Sequence, residues 1–460
     1  MTLELVALAD FGSTFTKLTL VEAGSGRRVA SAAAPTTVAT DVMEGYARAL
    51  EQALAAVGEP ARVLDKLAAS SAGGGLRVAA VGLVGDYTAA AARQAALNAG
   101  AKVELALTGR LDDAASARLS AVRPDIVLFS GGTDGGQQRQ ILENAEALAR
   151  TPFAAHVIVA CNCEIAEGVA RLLERAGHRS HVVANVLPEI DRLDIEPARA
   201  AIRDLFIEHV IMGKGLSSTR EFGEAVVMPT PEAVLVATRL LASGPSGDDG
   251  VGDLLVVDIG GATTDVHSSV TLDRLPVGIT PKGLPPLPLA RSVQGDLGMR
   301  WSALGVLEAD RDWLVEQSGD PAGLEAACRT RHAQPDFLAG DEAEAGIDRL
   351  LAVSCLTHAV QRHCGTLATV YVPGQGSRFV QEGLDLREMP RVIGTGGMLA
   401  REAQGEATLA AALERRAKGS LVPAAPAVTI DRSYVLAAAG LLASRNPHAA
   451  YNLMVHELAL

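Results

Sequence analysis

One short pattern occurs twice in this chain and constrains its fold more than any other feature. In each copy a strand-like apolar run ends in an aspartate and passes into a glycine turn with hydroxyl side chains. The first copy spans residues 3–17, with the turn sequence DFGSTFTK, and the second spans 254–266, with DIGGATTD. Another β-prone run follows each turn, which predicts a hairpin. This internal match indicates a duplicated domain whose two glycine hairpins face one ligand.

The first turn has the residue types that bring a backbone close to a phosphate, because a side chain at its glycine would block the approach. We expect the backbone amides of Gly12, Ser13 and Thr14, with the two hydroxyl groups, to hold β- and γ-phosphates. Lys17 would add a point charge. A carboxylate at a strand end can hold magnesium directly or through water, and Asp10 is expected to face hydrated magnesium.

The second turn is expected to contact the same phosphates from the other side. Asp258 is the stronger candidate for the metal shell or for orienting an attacking water molecule. Asp265 stands where the first copy has a lysine, and we expect it to pair with a cation across the ligand cleft. The predicted phosphate contacts of this turn are Gly260, Gly261, Ala262 and Thr263.

Two further glycine loops follow predicted strands. Residues 394–397 (GTGG) would let a base and ribose lie flat on the backbone, which makes Gly394, Thr395, Gly396 and Gly397 predicted nucleoside contacts. Residues 131–136 (GGTDGG) leave several interpretations open. The first interpretation is an ordinary turn at a strand end. The second is a loop that lines the far side of the cleft, and the third is a loop that presents Asp134 as a base to a bound substrate.

Between the hairpins, strand-length apolar runs alternate with helical spacing, which predicts βαβ units and a parallel sheet. A flexible connection at 243–250 separates a predicted first domain, 1–242, from a second, 251–460. The second contains a largely helical insertion at about 301–361 and an apolar helix at 434–444. Strands are predicted at 125–129, 156–160 and 181–184, helices at 137–150, 163–176 and 195–211, and a proline-rich loop at 281–288.

Composition excludes several classes of protein. The chain of 460 residues is 48% apolar and only 3% aromatic, as in packed α/β proteins, and its net charge of −13 disfavours binding to nucleic acid or anionic lipid. No apolar run approaches the roughly 20 residues that a membrane-spanning helix needs, and we expect the first apolar run, which contains Glu4 and Asp10, not to be a signal peptide. Five cysteines predict a reducing cytoplasm, with Cys161 and Cys163 as buried structural thiols.

The order of the three nucleotide motifs resembles the ATPase superfamily of actin, heat-shock chaperones and sugar kinases. That resemblance implies two ribonuclease-H-like domains with ATP and magnesium in the cleft between them. The exact sequences of these motifs and of several other segments are similar to those of the GlmL (MutL) family. Members of this family are accessory proteins for adenosylcobalamin-dependent glutamate mutase and related aminomutases. The mismatch-repair protein called MutL is unrelated. The segments that carry the likeness are 9–17, 129–136, 195–199, 257–267, 294–300 and 393–397.

The resemblance implies a reactivating chaperone that binds ATP and Mg²⁺, hydrolyses ATP weakly, and releases damaged cobalamin from mutase subunits. Members of the superfamily also place an acidic residue in the segment before the second phosphate turn. Glu196 and Glu189 are the two candidates for that role. Glu196 is followed by a proline, and this Glu-Pro pair resembles the sequence of the heat-shock chaperones at this point.

Three other functions remain open from the residues. The main alternative is a small-molecule kinase with Asp134 as its base, although Asp134 lies farther from Asp258 in sequence than sugar kinases place this residue. A second is a filament-forming protein similar to actin. A third is an activator with an iron–sulfur cluster, for which Cys161 and Cys163 are the closest cysteine pair.

Overall fold

Both predicted hairpins lie in five-stranded sheets. The computed structural model is α/β, as the sequence predicts, and describes residues 2–72, 75–211, 216–247, 249–272, 275–372 and 376–460. Its residue contacts form two units. The first contains Met1–Leu20, Ala30–Glu232 and Gly283–Pro285, and the second contains Val21–Val29, Ala233–Lys282 and Pro286–Leu460. The domain limits 1–242 and 251–460 stay a prediction, and Asp248 of the predicted connection lies outside the described residues.

The strands among the described residues are numbered along the chain, and four sheets contain them. They are β1 (Leu3–Phe11), β2 (Phe15–Glu22), β3 (Arg28–Pro35), β4 (Ala61–Ser70), β5 (Arg77–Gly82), β6 (Lys102–Thr108), β7 (Ile126–Gly131), β8 (His156–Cys161), β9 (Ser180–Val182), β10 (Val226–Pro229), β11 (Leu254–Ile259), β12 (Thr264–Ser269), β13 (Ile279–Lys282), β14 (Leu289–Gln294), β15 (Thr366–Val372), β16 (Gly376–Glu382), β17 (Arg391–Thr395) and β18 (Ala427–Ile430).

Two of these sheets have the same strand order, and each opens with one of the predicted hairpins. Their orders are β10-β4-β1-β2-β3 and β14-β12-β11-β17-β18. In each, the first strand pairs in parallel with the fourth, and the fourth with the fifth. The first two strands are antiparallel, since their connections are too short for a parallel crossover. This repeated arrangement is ribonuclease-H-like and confirms the predicted fold class.

A third sheet, in the first unit, is entirely parallel and has the order β6-β5-β7-β8-β9. Every residue of β7 is buried, which explains its continuous apolar sequence, because helices cover both faces of a parallel sheet. The predicted βαβ pattern is therefore confirmed here. The loop 131–136 begins where β7 ends, at the carboxyl edge of this sheet.

The sequence interpretation did not predict the small sheet β13-β16-β15. The proline-rich stretch predicted as a loop at 281–288 begins inside β13, where Pro281 pairs with Gln381 of β16. Pro281 occupies an edge strand, the position in a sheet that tolerates a missing backbone donor. The prediction of a loop is therefore wrong for residues 281 and 282.

The helices are also numbered along the chain. They are α1 (Val42–Ala55), α2 (Ala90–Asn98), α3 (Asp113–Val122), α4 (Arg139–Arg150), α5 (Ala166–Arg175), α6 (Glu196–Leu205), α7 (Arg220–Ala225), α8 (Thr230–Ser243), α9 (Ala303–Ala309), α10 (Arg311–Ser318), α11 (Pro321–Ala333), α12 (Glu342–His363), α13 (Gly397–Arg401), α14 (Gly405–Glu414), α15 (Val435–Ala443) and α16 (Pro447–Leu458), with π-helical turns at Gly85–Ala89 and Phe206–Ile211.

Several helices begin at the residue that satisfies their first backbone donors. The Asp341 carboxylate accepts the Glu344 amide at 2.9 Å and opens α12, the longest described helix. Helices α9 to α12 confirm that residues 301–361 are largely helical, and their description as an insertion stays a prediction. The predicted helix at 195–211 keeps α-helical geometry only through Leu205. Among the described residues, no helix is long and apolar enough to cross a membrane.

Candidate functional site

Only a glycine fits at position 12 in the first hairpin turn. A Cβ atom at Gly12 would lie 2.7 Å from the Phe15 carbonyl oxygen. The Gly12 amide already donates to the carbonyl oxygens of Asp10, at 3.1 Å, and Phe15, at 3.2 Å. Phosphate contact at this turn is therefore expected from the exposed residues Ser13 and Thr14 rather than from the Gly12 amide.

The carboxylate of Asp10 lies between a cation and a hydroxyl group. Lys17 Nζ is 3.8 Å from Asp10 Oδ2, and Thr230 Oγ1 donates to Asp10 Oδ1 at 2.6 Å. The structure thus brings together the two predicted residues Asp10 and Lys17 and adds Thr230, which the sequence interpretation missed. A signal was present, because Thr230 begins α8 directly after β10, between two prolines.

The second hairpin turn repeats the internal bonding of the first. The Gly260 amide donates to the Thr263 carbonyl oxygen at 2.9 Å. Asp258 is half-buried at the end of β11, where it is paired in the strand register with Asp265 of β12 and with Thr395 of β17. The parallel pairing of β11 with β17 therefore places the predicted catalytic aspartate beside the predicted nucleoside loop.

Asp265 pairs with a cation, but its partner lies in its own sheet. Arg291 Nε donates to Asp265 Oδ1 at 2.9 Å, and Arg291 Nη2 bonds the same oxygen. Arg291 lies on β14, the neighbour of β12, so the expected partner across the ligand cleft is wrong. The Thr263 hydroxyl donates to Asp265 Oδ2 at 3.0 Å, so this buried ion pair braces the turn.

The four residues of the loop 394–397 differ in their exposure to solvent. Gly397 is exposed, whereas the other three are buried. Gly396 has a φ of +104°, and a Cβ there would lie 2.1 Å from the Ile259 carbonyl oxygen. The Thr395 hydroxyl donates to the buried Asp431 carboxylate at 3.3 Å. Gly394, Thr395 and Gly396 therefore shape the loop, and the prediction of nucleoside contact narrows to Gly397.

The two acidic candidates of the connecting segment are exposed. The Glu196 side chain is 65% exposed and pairs with Arg199 at 3.0 Å, and that of Glu189 is 63% exposed and pairs with Arg192 at 3.1 Å. Their assignment to catalysis stays a prediction.

Glu232 is a buried acidic residue that the sequence interpretation missed. It is 1% exposed, lies two residues after Thr230, and accepts from Arg203 Nη1 at 3.4 Å. Burial raises the pKa of Glu232 to about 7, against the opposing effect of the nearby cations Arg203 and Arg199. Its position in the first turn of α8, where acidic residues are favoured, was the available signal.

Asp134 braces three loops at the carboxyl edge of the parallel sheet. Its Oδ1 accepts from the Cys163 amide and from Asn185 Nδ2, each at 2.9 Å. Burial alone would raise the pKa of Asp134, but these hydrogen bonds outweigh it and the pKa is lowered. A stabilised carboxylate is a weaker base, which counts against a catalytic role for Asp134. The cysteine prediction is correct for Cys161, which is buried, and wrong for Cys163, which is exposed.

The donor atoms fit a hydrated magnesium ion better than a cation caged by protein. Asp10 and Asp258 offer carboxylate oxygens at strand ends, and oxygen is the ligand atom that Mg²⁺ prefers. Among the described residues, no three His, Cys, Asp or Glu side chains group into a metal site. Each of these carboxylates, taken separately, suits a magnesium ion whose other ligands are phosphate oxygens and water.

Comparison with known proteins gives one family and several distant structures. A family described as MutL protein matches residues 6–458. Protein MutL of Clostridium tetanomorphum is 38% identical over 454 residues, which cover 97% of each chain. A glycerol dehydratase reactivase shares 12% identity at a TM-score of 0.38, with 96% of this chain and 99% of the other covered. The activator of 2-hydroxyisocaproyl-CoA dehydratase from Clostridium difficile, with bound ADPNP, shares 10% identity at a TM-score of 0.31, with 98% and 94% covered.

Proposed function

The chain belongs to the MutL protein family, and on that premise we propose that it is an ATP-dependent reactivating chaperone for an adenosylcobalamin-dependent mutase. Its partner is glutamate mutase or a related aminomutase, and its compartment is the cytoplasm. It binds ATP with Mg²⁺ and couples hydrolysis to the release of damaged cobalamin from the mutase. ATP hydrolysis is the only covalent chemistry that this proposal asks of the chain.

The observation that carries the proposal is the repeated hairpin. The same strand order occurs twice, and each copy places an aspartate near the end of its first strand and a glycine turn before its second. A turn of this kind suits a phosphate, because its backbone amides can approach the anion without interference from side chains. Two such turns suit the tandem phosphates of a nucleotide.

Five side chains of the two hairpins take part in the proposed reaction. Ser13 and Thr14 hold phosphate oxygens, and Lys17 neutralises part of their charge. Asp10 and Asp258 hold hydrated magnesium, which neutralises charge on the phosphates when it is bound. Asp258 also orients the attacking water molecule. Loss of the γ-phosphate removes contacts at both turns and so favours a second conformation of the protein.

The test is whether damaged mutase, rather than a small molecule, stimulates ATP turnover. Purified chain would be assayed for phosphate release with ATP and Mg²⁺ alone, with mutase holoenzyme inactivated by loss of its adenosyl group, and with sugars or carboxylic acids. The proposal predicts stimulation by the inactivated mutase only. Turnover that requires a sugar or a carboxylic acid would replace the chaperone with a kinase, and no turnover under any condition would remove the ATPase function.

A further inference from the structure

A segment outside the phosphate hairpins lies against the second hairpin turn. The segment 295–302 (GDLGMRWS) follows β14 and approaches the turn so closely that a Cβ at Gly298 would lie 2.4 Å from the Ala262 carbonyl carbon. Three hydrogen bonds join the two, from Met299 N to Gly260 O at 3.0 Å, from Arg300 N to Gly261 O at 2.8 Å, and from Ser302 Oγ to Ala262 O at 2.7 Å.

These bonds determine where the amides of the turn point. In a trans peptide the C=O group and the N–H group of the following residue point in opposite directions. Because the carbonyl groups of Gly260, Gly261 and Ala262 are directed at the segment 295–302, the next N–H group in each case is directed away from it. The segment therefore aims the amides of residues 261–263 toward one side of the turn.

The side chain of Arg300 holds this segment in place. Its Nη1 and Nη2 atoms donate to the two carboxylate oxygens of Asp348, at 3.1 and 2.9 Å. Its Nε donates to the Phe337 carbonyl oxygen at 3.0 Å, and Nη1 donates to its neighbour, the Met299 carbonyl oxygen, at 2.8 Å. A forked guanidinium group on a carboxylate restricts orientation as well as distance.

The carboxylate that Arg300 contacts is itself held firmly. Asp348 lies on α12 and also accepts from Arg331 Nε of α11 at 2.8 Å. Arg331 is fully buried and donates to the carbonyl oxygens of Ala327, at 3.2 Å, and Glu344, at 3.0 Å. The anchor of the segment is thus a buried ion network between two helices of the insertion.

We propose that Arg300 is a positioning residue for ATP hydrolysis. Through Asp348 it fixes the segment 295–302, and the segment orients the amides of residues 261–263 toward the nucleotide phosphates. This inference rests on the proposed ATPase function. Ser13, Thr14 and Lys17 do not depend on Arg300, so its loss affects the reaction more than the binding of nucleotide.

The first test compares Arg300→Met with Arg415→Met. Arg415 forms a similar two-pronged pair with Asp310, at 2.7 and 3.0 Å, and this pair has no contact with either the turn or the segment among the described hydrogen bonds. We expect Arg300→Met to lower kcat about 10- to 100-fold while the Kd for ADP changes less than about threefold, since small misplacements cost this much. Arg300→Lys should recover part of kcat. Arg415→Met should leave kcat unchanged.

The second test needs no nucleotide and remains informative if the chain does not hydrolyse ATP. Hydrogen exchange at the amides of residues 299 and 300 should be at least about tenfold faster in Arg300→Met than in the wild type, because local opening exposes them. Arg415→Met should not change these rates. Unchanged exchange in Arg300→Met, a kcat within twofold of wild type, or an equal loss of kcat in Arg415→Met would each overturn the inference.

Discussion

At the residue scale, the aspartates named as candidate site residues differ in their hydrogen-bond partners and in their burial. Asp134 and Asp265 are engaged by donors that brace loops, and Asp10 is held by Lys17 and Thr230. Asp258 is half-buried at the end of its strand, beside the turn of the second hairpin. Local sequence predicts aspartates at strand ends. It does not distinguish an aspartate that holds a loop in place from one that takes part in a reaction.

Replacement of Asp258 tests its assignment to hydrolysis. Asp258→Asn keeps the shape of the side chain and removes the charge that would orient water or magnesium, so kcat for ATP should fall on the order of 10²-fold. The Kd for ATP should change little, because the turn amides remain. Asp253→Asn, at the half-buried residue just before the same strand, is the matched control and should retain full turnover. Unchanged turnover in Asp258→Asn would remove this residue from the catalytic role.

Glu232 predicts a pH dependence of stability. Burial raises its pKa from 4.5 to about 7, so between these values the folded chain holds a proton that the unfolded chain has lost. The contribution of Glu232 to the free energy of unfolding is therefore complete below pH 4.5. It decreases by up to about 3 kcal/mol as the pH rises to about 7.

Chemical denaturation from pH 4.5 to 8 measures this effect. The free energy of unfolding of Glu232→Gln should lack this part of the decrease, whereas the exposed control Glu224→Gln should follow the wild type. The assignment fails if Glu232→Gln and the wild type have the same slope.

At the scale of elements, the two hairpins could be predicted because their signals are local. A strand, an aspartate and a glycine turn occupy consecutive positions in both copies. The alternation that predicts the parallel sheet is local as well. Thr230 and Asp10 are far apart in sequence, and so are Asp348 and Arg300, so no periodicity or turn signal links them. Helix α16 was missed although Asn446 and Pro447 form an ordinary helix start.

Substitution of the first turn glycine tests the hairpin geometry. A Cβ at Gly12 would lie 2.7 Å from a backbone oxygen, so Gly12→Ala must distort the turn and should destabilise the protein by roughly 1–3 kcal/mol. A Cβ at Gly24, in the next turn of the same meander, would meet nothing within 4 Å. Thermal unfolding should therefore show a lower Tm for Gly12→Ala and little change for Gly24→Ala. Equal Tm values for the two variants would contradict this geometry.

At the scale of the whole molecule, the repeated sheet accounts for the two matching glycine turns in one chain. The repeated strand order shows that the two ribonuclease-H-like sheets are equivalent, with the parallel sheet added to the first unit and the helical insertion to the second. The prediction that both turns face one nucleotide follows from the duplication and stays a prediction. Asp10→Asn and Asp258→Asn should therefore each abolish most ATP turnover, as measured by phosphate release.

The most direct measurement of the proposed function is the release of damaged cobalamin from the mutase. Mutase holoenzyme carrying hydroxocobalamin would be incubated with the chain, and cobalamin that passes a protein-retaining filter would be measured by its absorbance. Release should require ATP and Mg²⁺, should restore activity once adenosylcobalamin is added, and should be lost with Asp258→Asn. Release at the same rate without nucleotide, or none with wild-type chain and ATP, would contradict the proposal.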